Sequence, residues 1–401
     1  MFILENGLQR KNRKMMRYLD KLLIITLIVA YAHTEGTQSI DIVHILGTTN
    51  VNGEIEPCGW KKKPLGGLAR KSTVIDQIKA TSEEFVVVDA GNLFFKKNNL
   101  EPGITTEIAS LNSEIIVNAF NKIGCDAFSP GSHDFALGLD YLLKIEKNAN
   151  FPFISANIRD VLGTQIFRPY NIVSRGSLDI GFIGLASQFS HPDLQINDPI
   201  ESLKEIIDEV NSQSDIVVLL FNAEERDLLA LQNSNLPIDL IYRSNSKKRS
   251  NDGGGKAIPV YSAGDRGKYL YDVKVSIKDK NEKLIDISAQ EHALENSKKR
   301  LERMRKNHPQ DSDLKVIFAN DPQTLSRVKS YERQIDQANY NLENAINTLT
   351  LNKYELNKTI ADKPEILKIV DSGKEKINII GAPYMDSQGR LPGDSHHGHS
   401  H

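Results

Sequence analysis

Short apolar runs alternate with stretches of helical character between residues 40 and 285, and this alternation constrains the fold more than any other feature. The runs are compact and rich in Val, Ile and Phe, as expected of strands that are buried on both faces. Strands that alternate with helices are typical of a layered α/β domain. The predicted strands are 40–46, 84–88, 127–129, 153–155, 180–183, 216–220, 240–242, 259–263 and 271–277.

Polar loops follow several of these strands, and ligands of such sheets bind in the loops beyond the strand ends. The loop-bearing segments are 45–53, 66–70, 88–92, 131–134, 155–158, 215–222, 239–247 and 263–270. Their order and spacing resemble those of the 5′-nucleotidase branch of the calcineurin-like metallophosphoesterases. The resemblance covers residues 40–280 and implies a four-layer α/β/β/α sandwich.

The resemblance also implies a metal site, because members of that family hold two metal ions with carboxylates and imidazoles. The two ions activate a water and hold the phosphate oxygens of the substrate. The family's first motif has the form Thr-Asn-Asp-x-His-Gly, and its Asp and His bind metal. In this chain the matching residues are Asn50 and Asn52.

The remaining metal-binding motifs are altered in the same direction. Asn92 replaces a bridging carboxylate, Ser132 replaces the ligand Asn of Gly-Asn-His-Asp, and Asn222 replaces a lone His. The final Gly-His-x-His motif is changed so that Asn245 and Lys247 stand at its ligand positions. No carboxylate or imidazole ligand of the pattern remains, and Lys247 adds a positive charge where a cation would bind. The altered positions are Asn50, Asn52, Asn92, Ser132, Asn222, Asn245 and Lys247.

These replacements predict a protein without a metal cofactor, since neutral amides cannot offset the charge of two closely spaced divalent ions. We therefore expect a catalytically inactive pseudoenzyme in which Asn50, Asn92, Asn222 and Asn245 form a neutral polar network. The alternative is a phosphoester hydrolase of the 5′-nucleotidase type with an atypical site, which would use Mn, Zn, Ca or Mg.

His133 and Asp134 resemble the family's catalytic dyad and are the candidate catalytic residues of that alternative. Without metal ions, the favoured interpretation of the same His133 is a hydrogen-bonded histidine at the end of a strand. The sequence leaves both interpretations open.

The pattern changes after residue 285. Val328, Ile335, Leu342, Leu349 and Leu356 recur at every seventh position, as in a coiled-coil seam. An earlier series, Ile287, Leu294 and Leu301, has the same period. We predict an antiparallel coiled-coil hairpin over residues 286–362, whose second helix runs from 322 to 360. The hairpin either lies along the α/β domain or binds a protein partner or a second copy through residues 286–360.

The amino terminus has the three parts of an export signal: a basic stretch at 11–21, an apolar run at 22–29 and a small-x-small site at 30–32. We predict a signal peptide over 1–32, a metallophosphoesterase-like domain over 33–285, and a periplasmic or secreted protein. The apolar run is about half of the ~20 residues that cross a bilayer, so no stable membrane anchor is expected.

The carboxyl-terminal segment, 363–401, contains a predicted strand at 377–380 and a histidine-rich tail. The tail is either a weak metal-binding segment or an expression tag. Its histidines are His396, His397, His399 and His401.

Charge and cysteine content limit the partners and the compartment. With 50 Lys and Arg against 52 Asp and Glu, the formal net charge is -2, which gives no reason to expect a nucleic-acid partner. Cys58 and Cys125 are the two cysteines, and an oxidising compartment allows one disulfide between them. Two separate thiols are the other possibility.

Overall fold

The computed structural model describes residues 40–59, 62–81, 84–100, 103–309 and 312–385. The predicted signal peptide and the histidine tail lie outside these residues. The elements of the described part include two large β-sheets and eleven helical segments of 3 to 23 residues. The predicted mixed α/β fold is confirmed.

The first sheet has six strands in the order β14-β15-β13-β1-β4-β5. Its strand β1 pairs in parallel with β4 and antiparallel with β13, with Gly47 opposite both Val88 and Tyr271. The bounds are β1 Asp41–Thr48, β4 Phe85–Asp89, β5 Ala127–Phe128, β13 Tyr269–Ile277, β14 Leu284–Asp286 and β15 Asn347–Glu355.

The second sheet has five strands in the order β12-β11-β10-β8-β7. Its strands β8, β10, β11 and β12 are parallel, and β7 is antiparallel to β8. The bounds are β7 Tyr170–Arg175, β8 Leu178–Ala186, β10 Ile216–Asn222, β11 Leu240–Ser244 and β12 Val260–Tyr261. Two short antiparallel pairs lie outside both sheets: β2 Pro57–Cys58 with β3 Leu65–Gly66, and β6 Ile158–Asp160 with β9 Leu194–Ile196.

The described residues form nine α-helices. They are α1 Leu68–Thr81, α2 Thr106–Ile123, α3 Leu139–Asn148, α4 Pro199–Ser212, α5 Glu225–Gln232, α6 Ser288–Arg305, α7 Leu314–Ile317, α8 Pro322–Asn344 and α9 Pro364–Gly381. Short 3-10 turns occur at Ser132–Phe135 and Ala382–Tyr384.

Three hydrophobic cores separate the layers. The inward side chains of the two sheets, including Val43, Val88 and Val218, meet in the middle core. The first sheet packs on α1, α2, α3 and α9 through residues such as Phe120, and the second packs on α4 and α5 through residues such as Leu203. Because strands of the middle core are covered on both sides, their sequences are continuous apolar runs.

The predicted hairpin differs from the structure in its second half. Helices α6 and α8 do lie antiparallel, with Ser297 bonded to Gln334 and Arg300 to Tyr331. Helix α8, however, ends at Asn344, and the nine residues Asn347–Glu355 form β15, a strand between β13 and β14. The prediction of one helix to residue 360 is therefore wrong. Leu349 falls at a heptad position, but it also belongs to an alternation of apolar and polar residues with a period of two, as in a strand.

The predicted strand at 377–380 is also wrong, since these residues lie in helix α9. The buried residues of α9 include Ile366, Val370, Gly373 and Ile377, which follow helical spacing and belong to one face. This face packs against the core of the first sheet, so residues after the predicted hairpin are part of the α/β layers. Gly373 lies directly over Ile115 of α2, where a methyl group would stand 2.3 Å from that side chain.

Both cysteines are buried free thiols, Cys58 in β2 and Cys125 before β5. Within the part of the chain that the structure describes, no helix combines the length and the apolar character needed to cross a bilayer.

Candidate functional site

The altered motif residues gather where strands of both sheets end. Asn50 and Asn52 follow β1, Asn92 follows β4, and Ser132 opens the 3-10 turn after β5. From the second sheet, Asn222 is the last residue of β10, and Asn245 and Lys247 follow β11. These loops meet at one end of the sandwich, as the motif order predicts.

Asn50 is at the centre of this arrangement. Its amide nitrogen donates to the backbone oxygens of Ser246, at 2.9 Å, and Gly264, at 2.8 Å. Its amide oxygen accepts from the backbone N–H of Asn245 at 2.9 Å and from the amide of Asn92 at 3.3 Å. Since backbone groups on both sides fix the orientation of the amide, its hydrogen-bonding capacity is directed at the protein.

Asn92 extends the network toward the third motif. Its side-chain oxygen accepts from the backbone N–H of His133 at 3.2 Å. Asn222 donates to Ser244 Oγ at 2.7 Å, and that hydroxyl donates to the backbone oxygen of Ala90 at 2.7 Å. The amides of Asn50 and Asn92 therefore connect loops of both sheets, and Asn222 lies beside them with its own bond to Ser244.

Little space remains between these side chains. A methyl group on Gly131 would stand 2.5 Å from Asn92 Oδ1 and 2.4 Å from Asn222 Nδ2. The two amides thus lie in contact with the backbone of Gly131, where they fill the space next to the loop.

Asn245 and Lys247 contribute less than predicted. Both residues are exposed, and the contact of Asn245 with Asn50 comes from its backbone N–H, not its side chain. Burial lowers the pKa of the His133 imidazole, and the charge of Lys247 makes a smaller contribution in the same direction. Ser132 is half-buried at the start of the 3-10 turn.

His133 and Asp134 have separate hydrogen-bond partners. His133 Nδ1 lies 3.2 Å from the side-chain oxygen of Asn52, whose amide nitrogen donates to Asp265 at 2.7 Å. Burial is the main cause that lowers the pKa of His133, which favours the neutral imidazole.

Asp134 is fully buried beneath the loop after β4. Its carboxylate accepts the backbone N–H groups of Leu93, Phe94 and Gly131, each at 2.8 Å. Burial raises the pKa of Asp134 to about 7, although these N–H groups oppose the shift. The carboxylate therefore holds two loops together, in the manner of a structural aspartate.

Several loop asparagines adopt a left-handed backbone conformation. The φ angles are 51° at Asn50, 56° at Asn52, 50° at Asn92 and 59° at Asn245. Asn tolerates this conformation better than other residues with a Cβ. The asparagines thus fit both the backbone turns and the amide network.

A buried polar cluster beneath the site was not predicted. Lys71 of α1 donates to Thr48 Oγ1 at 2.8 Å, and that hydroxyl donates to Asp89 at 2.5 Å. Lys71 Nζ also lies 3.9 Å from the centre of the Phe120 ring. Burial lowers the pKa of Lys71 and raises that of Asp89 to about 6. The sequence does contain one indication of this cluster, because Asp89 directly follows the apolar run 85–88 of a buried strand.

The donor set does not fit a pair of divalent metal ions. Across the described ranges, no group of three or more His, Cys, Asp or Glu side chains is placed to hold a metal. The amide oxygens of Asn50 and Asn92 already accept N–H groups, and the amide nitrogen of Asn222 faces the site. A metal at this position would have to displace these hydrogen bonds and would meet no carboxylate ligand of the network.

Comparison with known proteins gives related chains of greater length. No family model matches the chain. It is 28% identical over 225 residues to Protein UshA of Salmonella pullorum. The alignment covers 51% of this chain and 39% of that protein. It is 31% identical over 157 residues to the 5′-nucleotidase of Vibrio cholerae. This alignment covers 37% of this chain and 28% of the relative.

A third relative is the 5′-nucleotidase of Bos taurus, 26% identical over 276 residues, with 59% of this chain and 46% of the relative covered. The chain spans less than half the length of each of these relatives.

Solved structures show the same fold. The 5′-nucleotidase precursor of Thermus thermophilus matches with a TM-score of 0.52 and 20% identity, over 60% of this chain and 52% of that chain. The calcineurin-like phosphoesterase YfkN of Bacillus subtilis matches with a TM-score of 0.50 and 20% identity, over 60% and 86% of the two chains.

Proposed function

Because the chain is related in sequence and in fold to the 5′-nucleotidase branch of the calcineurin-like metallophosphoesterases, we propose that it is a non-catalytic binding protein built on that domain. The observation that carries this proposal is the hydrogen bonding of Asn50. Its amide donates to two backbone carbonyls and accepts two N–H groups, so that it binds the protein where a relative of this type would bind metal.

Charge supports the same conclusion. Two divalent ions bring four positive charges. The amides of Asn50, Asn92 and Asn222 supply no negative charge to offset them. Lys247 adds a further positive charge close to His133. A neutral network is stable without ions, whereas clustered carboxylates in the same place would repel one another.

We place the contact surface of this binding protein on the pair α6 and α8. These helices bury few side chains: Ser288 and Ser297 on α6, and Val328 and Ala338 on α8. The remaining side chains are partly or fully exposed, which leaves the outer faces of both helices available to a partner. The amino-terminal signal pattern supports export to the periplasm or the medium.

A second candidate is a metal-dependent phosphoester hydrolase of the 5′-nucleotidase type. The names of the relatives favour it, since the Vibrio cholerae and Bos taurus proteins are 5′-nucleotidases. In such an enzyme a divalent metal would supply the activated water. Among the residues of the site, His133 would be the proton donor to the leaving group of the substrate. This histidine is half-buried and lies next to Asn52.

Hydrolysis assays separate the two candidates. Purified protein is assayed with AMP and with p-nitrophenyl phosphate in the presence of Mn, Zn, Ca or Mg, beside a His133→Ala variant. We expect the same background rate from both proteins, because neither has a metal-bound nucleophile. A rate that depends on added metal and is lost in His133→Ala would establish the hydrolase instead.

A further inference from the structure

The distal half of the α6–α8 pair is strongly basic. Residues 298–333 contain ten Lys and Arg and five Asp and Glu, a net charge of +5, although the whole chain has a net charge of -2. We call this segment the basic tip. Most of its cations are exposed, including Lys298, Arg303, Lys306, Lys329 and Arg333.

The described residues of the basic tip lie mostly in helices α6, α7 and α8. Leu314 of α7 and Val328 of α8 are buried, at 3% and 0% exposure. Given the antiparallel bonds Ser297–Gln334 and Arg300–Tyr331, Arg303 lies level with Val328 and close to Lys329. The cations are therefore presented from a defined scaffold.

A surface of opposite charge, an acidic one, lies on the helices that cover the second sheet. Residues 193–227 contain ten Asp and Glu and two Lys and Arg, a net charge of -8. We call the exposed side of α4 and α5 the acidic face. Glu205 and Asp208 lie on its exposed surface, while Glu201 pairs with Lys204 and Glu225 with Arg243.

Neither surface is neutralised by the other within one molecule. The tip's ion pairs Lys299–Glu295 and Lys315–Glu332 are both internal to the α6–α8 region. Among the residues that the structure describes, no ion pair joins the basic tip to the acidic face. Each surface is thus available to a partner of opposite charge.

We propose that the basic tip of one molecule docks on the acidic face of a second copy of the same chain. The inference rests on the proposed role of the α6–α8 pair as a contact surface, and it names the partner. Complementary charges steer two molecules together and disfavour wrong pairings. Because the two surfaces differ, the contact is heterologous, and each bound pair leaves one tip and one face free for further copies.

Charge-reversal variants test this contact by analytical ultracentrifugation. The tip variant carries Arg303→Glu and Lys329→Glu, and the face variant carries Glu205→Lys and Asp208→Lys. We expect wild-type protein to associate in a concentration-dependent manner at low salt, and to dissociate as NaCl rises from about 0.05 M to about 0.5 M. Each variant alone should associate at least about tenfold more weakly than wild type.

Mixing the two variants gives the decisive result. An equimolar mixture should regain association, since the acidic tip of one variant meets the basic face of the other. A matched control, Lys122→Glu with Lys147→Glu on α2 and α3, removes the same charge elsewhere and should associate like wild type. Thermal unfolding of all variants confirms that they are folded.

Monomeric wild-type protein at every concentration, or folded variants whose mixture fails to associate, would overturn the proposal. So would salt-sensitive binding to phosphatidylglycerol vesicles or duplex DNA by a protein that stays monomeric without them. These outcomes leave the non-catalytic function untouched, because metal content and hydrolysis are measured separately.

Discussion

Asn50 and Asn92 are joined through their side chains, with the Asn92 amide donating to Asn50 Oδ1 at 3.3 Å. The two residues stand at positions that bind metal in the family the motifs resemble, and here they bind each other. Their link connects the loop after β1 to the loop after β4. The amide–amide bond therefore holds the two loops together.

The orientation of Asn50 leads to the first prediction. In Asn50→Asp, a carboxylate oxygen would face the carbonyl oxygens of Ser246 and Gly264, which now accept the amide protons. Loss of these bonds beside a buried charge should lower the free energy of unfolding by about 3 kcal/mol, measured by urea denaturation.

Asn235→Asp is the matched control for that substitution. Asn235 is exposed and has a similar φ of 53°, so the same chemical change should alter stability by about 0.5 kcal/mol or less. If Mn restored the stability of Asn50→Asp above that of wild type, the site would accept metal after one substitution, which contradicts the account.

The buried Asp89 predicts a pH dependence of stability. Burial raises its pKa from the ordinary 3.8 to about 6, so between these values the folded state keeps a proton that the unfolded chain releases. The free energy of unfolding should therefore fall as pH rises from about 4 to about 6, by about 3 kcal/mol relative to Asp89→Asn.

Urea denaturation of wild type and Asp89→Asn at several pH values measures this difference. Asp239 also has a raised pKa, but it is present in both proteins, so its effect cancels. The charge of Asp89 contributes to the raised pKa of Asp134, so the measured difference includes this coupling. A difference that stays constant over this pH range would show that Asp89 is ionised in the folded protein throughout.

The strand β15 gives a prediction that distinguishes the observed fold from a continuous coiled coil. Leu349 lies fully buried between the sheets, opposite Val275 of β13, so Leu349→Ala should cost about 2–5 kcal/mol of global stability. Ile335→Ala, on the half-buried inner side of α8, should cost about 1 kcal/mol and loosen the helix pair alone.

Amide hydrogen exchange resolves the two effects. Leu349→Ala should reduce protection in β13 and the sheet core, whereas Ile335→Ala should reduce it in α6 and α8. Equal local effects from both substitutions would support a coiled-coil seam that includes Leu349.

The sequence was sufficient for the strands that build the middle core, because strands buried on both faces leave continuous apolar runs. Eight of the nine predicted strands overlap observed ones, and the ninth, 153–155, forms isolated bridges at Phe153 and Ile154. The loops that carry Asn50 and Asn92 were likewise placed correctly, since their motifs follow those strands.

Other features depend on contacts that the sequence does not contain. The heptad spacing of Leu349 also fits a strand, and only pairing with β13 decides between them. Lys71 belongs to an ordinary helical sequence, and its burial becomes evident only when α1 lies over Thr48. The exposure of Asn245 depends in the same way on the path of the loop after β11.

The metal content of the protein shows whether the amide network excludes divalent ions. Protein without residues 394–401 is equilibrated with Mn, passed through a desalting column and analysed for bound metal. Because the amides of Asn50 and Asn92 are engaged with N–H groups, the account predicts less than about one equivalent per chain. Two tightly bound equivalents per chain would contradict it.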